Sequence, residues 1–137
     1  MCLYCTDPSV QISRSHPLTA YKIFKLRNGK LYPWLYENEN EKYNPIKIYE
    51  TNKWLTDWKT SQYWHERYPK GFHAYENKKY AEQCCRSDNI ELGLEPIYIY
   101  VVKKVLLAGT ITSGSTGYAL KQKGYCGNKM KILEDKP

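Results

Sequence analysis

The sequence predicts a single α+β domain: a mostly antiparallel, twisted sheet of about six strands with one to three helices. Three observations predict it. Asn28-Gly29 separates two strand-like runs, 21–27 and 30–32. An apolar stripe at helical spacing, Tyr80, Ala81, Cys84 and Cys85, follows the strand-like run Gly71-Phe72-His73-Ala74-Tyr75. A β-branched and aromatic stretch fills most of 96–112. Strands gathered around one clear helix, with no strand–helix alternation, read as α+β.

The elements follow in chain order. Residues 1–19 hold Pro8, Ser13, Ser15 and Pro17 with no clear period, and read as an irregular arm before a domain over 20–137. Asn-Gly suits a type I′ turn, whose two central residues need positive φ, so 20–36 reads as a hairpin. Pro33 donates no ladder hydrogen bond and places the second strand at an edge or bulge. The polar stretch 37–45 is a loop, and Ile46-Lys47-Ile48-Tyr49 alternates as a short strand.

Trp54 and Trp58, four apart, have the spacing of one helix face, though the Thr and Asp residues around them weaken a helix. Residues 71–75 read as a strand. A helix then runs to Arg86 with Asn77 as its N-cap, and 87–93 form a loop. Residues 96–102 read as a central strand buried on both faces. Residues 105–112 continue it. One straight strand over both would span about 53 Å, too long for a small domain, so a bend or bulge falls near Lys103-Lys104 or Gly109. Ser113-Gly114-Ser115-Thr116-Gly117 reads as a flexible loop, and 129–133 as a last strand.

Composition narrows the function. The 137 residues include 14 Tyr, 4 Trp and 2 Phe, too many aromatics for a disordered chain. The longest apolar run, 97–102, is far short of a membrane span. The net charge of +7 favours acidic or nucleic-acid-associated partners, or nucleotides. The N-terminal Met-Cys-Leu-Tyr-Cys has neither the basic region nor the apolar stretch of a leader, which predicts a cytoplasmic chain with reduced thiols.

Motifs for chemistry are sparse. Cys2 and Cys5 have the gap of a zinc knuckle, but no second spaced pair accompanies them, so no metal is expected. The loop 113–117 lacks the Gly-Lys-Ser/Thr of a P-loop. His73, inside a strand between Phe72 and Ala74, reads as a hydrogen-bonded structural residue before a catalyst. No cysteine has a base partner in the sequence.

Certain segments resemble known proteins. Gly71-Phe72-His73-Ala74, the strands after it and Gly117-Tyr118-Ala119 resemble a diffuse group of small phage and bacterial proteins of unassigned function. More weakly, 71–133 together with Tyr21 is similar to ADP-ribosyltransferase-like domains. That likeness implies an NAD site with Tyr21, Tyr75 and Tyr80 in matching segments, and His73 where an aromatic is usual. If the chain is an enzyme, Tyr21, His73 and Glu134 are its catalytic candidates. Glu134 lies close to the C-terminus, a poor place to orient a carboxylate.

The resemblance therefore implies a non-enzymatic relative that binds a nucleotide or a protein and needs no cofactor. The leading expectation is a phage-type inhibitor of a host defence system, anti-CRISPR-like, acting in the host cytoplasm. It would occupy a partner's nucleic-acid-binding surface or sequester a nucleotide signal. The alternatives are an NAD-dependent ADP-ribosyltransferase-like enzyme and a nucleic-acid-binding protein. Expected ligand-binding residues are Tyr21, Lys22, His73, Tyr75, Lys79 and Tyr80, around the central strand and helix. Trp34, Tyr36, Trp54, Trp58 and Trp64, aromatics among charged and turn residues, form the expected interface.

Overall fold

Asn28 and Gly29 reverse the chain with φ of 50° and 74°, as a type I′ turn requires. They join β3 (Leu18–Arg27) to β4 (Lys30–Pro33) in the expected hairpin. The computed structural model describes residues 3–4, 6–33, 48–56, 71–91, 99–116 and 122–134. The other elements are β1 (Leu3–Tyr4), β2 (Val10–Ile12), β5 (Trp54–Thr56), β6 (Phe72–Tyr75), α1 (Lys78–Glu91), β7 (Ile99–Thr116) and β8 (Gln122–Ile132). All strand pairings between these elements are antiparallel. The molecule is a mostly antiparallel sheet with one helix among the described residues.

The sheet closes on itself. β7 pairs with β3 on one edge and β8 on the other, β8 pairs with β6, and β6 returns to β3 through Tyr75 and Tyr21. From Gly124 the register leads to Tyr75, Tyr21 and Lys104, whose carbonyl accepts from the Leu133 N–H. The circuit thus re-enters the β8 line nine residues further on. So large a stagger means steeply tilted strands around a narrow interior. Ala20, Phe24, Leu31, Phe72, Ala74, Val105, Leu107, Ile111, Tyr125, Met130 and Ile132 fill that interior. Tyr49 stands edge-on to both Phe24 and Phe72, at 5.7 and 6.3 Å, where β3 and β6 barely pair.

The long strand β7 bulges at Gly109, one of the two places where a bend or bulge was expected, and runs on through Lys103-Lys104. Its register with β8 shifts between Ala108 and Ile111, and Gly109 has φ of 80°. The Asn128 side chain accepts from the Thr110 N–H at 2.9 Å and satisfies a donor that the bulge takes out of the ladder.

α1 packs on the outside of β3, β6 and β7. Asn77 caps it by accepting from the Tyr80 N–H at 3.0 Å. Its apolar stripe, Tyr80, Ala81, Cys84 and Cys85, meets Tyr21, Ile23, Tyr75, Tyr100 and Val102. At the other end the Asn89 amide bonds both backbone groups of Tyr100, at 2.7 and 3.0 Å, acting as a one-residue strand partner.

Several expectations need correction. The arm over 1–19 is not irregular throughout. β1 and β2 lie along β7, with polar links from Asp7 to Ser113, Ser9 to Thr112 and Gln11 to Thr110 between them, and β3 starts at Leu18. The expected loop at 87–93 is helix as far as Glu91, which carries Asn89 to its partner. The expected flexible loop at 113–117 is strand to Thr116, because β1 and β8 pair with it on both edges.

β8 starts seven residues before 129, its glycines allowing close approach to β6 and β7. Trp54 lies in a strand, not on a helix face. Both faces of β7 do meet apolar clusters, Val101 inside and Val102 under α1, but Ile99 stays 46% exposed. The expected loop 37–45, and residues 46–47, 57–70, 96–98 and 117, lie outside the described residues.

Candidate functional site

The residues expected to bind a ligand fall into separate settings. Tyr21 and Tyr75 face each other across β3 and β6, and Tyr80 comes over from α1 with its ring 5.3 Å from that of Tyr75, edge-on. This trio is mostly packing: Tyr75 is buried and the other two are half-buried. Burial raises the Tyr80 phenol above its ordinary pKa, and the nearby Cys84 adds to the shift. Lys22 donates from Nζ to the His73 carbonyl at 2.7 Å, so its charge serves the β3–β6 seam. Lys79 is exposed on α1.

His73 is half-buried on β6, directly opposite Cys126. Glu134 accepts from the Thr51 hydroxyl at 3.0 Å, beyond the end of β8. The described contacts join Tyr21 to Tyr75 and Lys22 to His73, while Glu134 turns to Thr51. Among the described residues no cluster of three or more His, Cys, Asp or Glu side chains is placed to hold a metal.

One further polar cluster sits at the start of α1. The buried Tyr125 hydroxyl donates to Glu76 at 2.5 Å, and Lys123 lies 3.6 Å from the same carboxylate. Burial, then the hydrogen bond and negative charge of Glu76, push the Tyr125 phenol far above its usual range. Every group here is accounted for by a neighbour, so the cluster reads as a clamp holding α1 to β8.

The candidate site lies on the outer sheet face instead. Residues directly opposite in an antiparallel pair share a face. Thr19, Leu106, Lys131 and Trp54 therefore form one row across β3, β7, β8 and β5. Ala108, Lys129 and Thr56 form the next row, and Tyr21, Lys104 and Leu133 the previous one. Rows recur every two residues, about 6.6–6.8 Å, and strands lie about 4.8 Å apart.

α1 covers this outer face over Ile23 and Val102. From the Tyr21–Lys104 row onward the surface carries three lysines and an indole. Lys104, Thr19 and Thr56 are exposed, and Lys129, Lys131, Leu106 and Trp54 are half-buried. Lys104, Lys129 and Lys131 make no ion pair among the described residues. Of the described acidic groups near these strands, Glu134 accepts from the Thr51 hydroxyl and Glu50 pairs with Lys53 at 2.6 Å. Three ammonium groups with no ion pair among the described residues, set around one half-buried tryptophan, make a surface that attracts anions.

Composition pointed to both ingredients of this site, charge and tryptophan. Lys104, Lys129 and Lys131 belong to the tightest basic groups of the sequence, Lys103-Lys104 and Lys121 to Lys131, but were not among the expected site residues, since only the β5–β8–β7 register places them beside Trp54. Of the expected interface aromatics, Trp54 stands on this face, and Trp34, Tyr36, Trp58 and Trp64 lie outside the described residues. No described helix is long and apolar enough to cross a membrane. Comparison of the chain with protein-family models, curated proteins and solved structures finds no match.

Proposed function

We propose that the protein is a non-enzymatic binding protein for nucleic acid, engaged through the outer face of β5, β8 and β7. The observation that carries this is the row arrangement: Trp54 directly opposite Lys131, with Lys129 one row to one side and Lys104 one row to the other. Lysines that meet phosphates displace the counterions condensed on a nucleic acid, and that release drives association. The net charge of +7 adds long-range attraction of the same sign.

The expected role against a host defence system narrows on the same grounds. An effector's nucleic-acid-binding surface is itself basic. A chain of charge +7 is repelled there, whereas a nucleic acid or nucleotide signal is attracted. An inhibitor built on this surface acts by capturing the anionic ligand. The NAD-dependent alternative draws its support from the motif segments around Tyr21, Tyr75 and Tyr80.

The test is binding of labelled nucleic acid across a salt series, with wild type and the triple variant Lys104→Glu, Lys129→Glu, Lys131→Glu. The expected result is affinity that falls with salt and is lost in the variant, with circular dichroism unchanged. Absence of binding at low salt, or equal binding by the folded variant, overturns the reading.

A further inference from the structure

Resting on that reading, we infer that the ligand is single-stranded, with one base stacked on Trp54 and the flanking phosphates held by Lys104, Lys129 and Lys131. Three observations carry the inference.

The first is shape. A duplex is read by a helix or two-stranded ribbon entering a groove about 12 Å wide. This face presents rows of a sheet, and the accessible side chains between its lysines are short or apolar, Thr19, Leu106 and Thr56, while Ala108 is buried. α1, the helix of the described residues, lies on the outer face on the far side of the Tyr21–Lys104 row.

The second is the tryptophan. Trp54 is half-buried on the outer face, neither part of the core nor fully exposed. The Leu55 side chain beside it turns inward to the core. A phosphate backbone has no use for an indole, but an unpaired base gains from stacking on it, whatever its identity. Bases inside a duplex are already stacked and offer no free face.

The third is the layout of charge. Lys131 and Lys129 are two residues apart along β8, about 6.8 Å. Lys104 lies one row and one strand away from Lys131, on the other side. The three ammonium groups follow a short, bent track past Trp54, which a flexible single strand can adopt. Three neutralised phosphates predict a slope of log affinity against log salt of about −2 for a single strand.

The experiment is fluorescence anisotropy with labelled oligothymidine, oligouridine and a duplex of equal length, using the full chain. The two single strands separate DNA from RNA as the source of the same chemistry. Single strands are expected to bind more tightly than the duplex, with a slope near −2. Trp54→Ala is expected to weaken single-strand binding about tenfold or more without changing that slope, and Trp54→Phe to keep most of it. Lys129→Gln is expected to make the slope shallower by about 0.7. Circular dichroism checks that each variant is folded, and Trp54→Phe guards against a packing defect in Trp54→Ala. Duplex binding equal to single-strand binding, or a folded Trp54→Ala with unchanged affinity, overturns this inference while leaving nucleic-acid binding intact. No binding of any of the three at low salt overturns both.

Discussion

Lys22 closes the weakest joint of the barrel by donating to the His73 carbonyl at 2.7 Å. β3 and β6 share a single residue pair, Tyr21 with Tyr75, before they diverge. Past that point the two strands are tied by this ammonium and by Tyr49, which sits edge-on to Phe24 and Phe72. Lys22 also lies on the face of Phe24, with Nζ 5.9 Å from the ring centroid. Lys22→Met keeps much of the side chain's bulk and removes the donor. It is expected to cost about 1–3 kcal/mol of stability, measured by urea unfolding, because a half-buried carbonyl loses a charged partner. Oligonucleotide affinity of the folded variant is expected to stay within about twofold of wild type, since Lys22 stands on the opposite face from Trp54. A large loss of affinity with unchanged stability would return Lys22 to a ligand-binding role.

The Tyr125–Glu76 clamp predicts the alkaline limit of stability. Burial and the Glu76 carboxylate raise the Tyr125 phenol well above its ordinary value of 10.0, and burial and Cys84 raise Tyr80. A raised pKa means that the folded state holds the proton more tightly than the unfolded chain does. The contribution is therefore complete below about pH 10 and is lost as pH climbs above it. Stability is expected to be flat with respect to these groups at neutral pH and to fall steeply above pH 10. In Tyr125→Phe that alkaline fall is expected to be shallower, with about 0.5–1.5 kcal/mol lost at neutral pH from the missing hydrogen bond. Tyrosinate absorbance during a pH titration gives a second check. Part of the phenol signal is expected to appear only with unfolding in wild type, and less of it in Tyr125→Phe.

The N-cap gives a prediction confined to α1. Asn77 accepts from the Tyr80 N–H, one of the donors that a helix start leaves unpaired. Asn77→Ala is expected to cost about 0.5–2 kcal/mol, and Asn77→Asp to restore most of it. Hydrogen exchange is expected to show faster opening of 78–82 in Asn77→Ala with little change in β7 and β8. Uniform loss of protection would mean that α1 and the barrel open as one unit.

Local signals in the sequence located what local physics decides. The hairpin at Asn28-Gly29, the strand 72–75, the Asn77 cap and the Tyr80/Ala81/Cys84/Cys85 stripe each depend on a few neighbouring residues. A bulge at Gly109 or Lys103-Lys104 was legible because a straight strand of that length does not fit a small domain, and the structure places it at Gly109. The failures share a different cause. Residues 113–116 carry loop-like Ser and Gly, yet they are held as strand by partners more than a hundred residues away at Leu3 and Tyr4, and by β8. The helix beyond Arg86 was missed because the partner of Asn89 is the Tyr100 backbone, a tertiary contact. Barrel closure and the basic face follow from register, which pairs Trp54 with Lys131 and Lys104 with Tyr21. None of those pairs is encoded by spacing along the chain.

Gly109 and Asn128 form a coupled pair that tests the bulge. A Cβ on Gly109 would lie 1.8 Å from Asn128 Oδ1, and the glycine's φ of 80° is unfavourable for any side chain. Asn128 cannot simply move aside, because that oxygen accepts the Thr110 N–H. Gly109→Ala therefore combines a clash with backbone strain and is expected to destabilise by about 1–3 kcal/mol or more. Asn128→Ala leaves the Thr110 N–H without its acceptor, at an expected cost of about 1–3 kcal/mol. In the double variant the clash is gone while the strain and the orphaned donor remain. Its loss is expected to fall short of the two single losses added together by about 0.5 kcal/mol or more, read from urea unfolding of all four proteins. Strict additivity would mean that Asn128 rotates freely away from the bulge, and that the register shift in β7 rests on the Gly109 backbone alone.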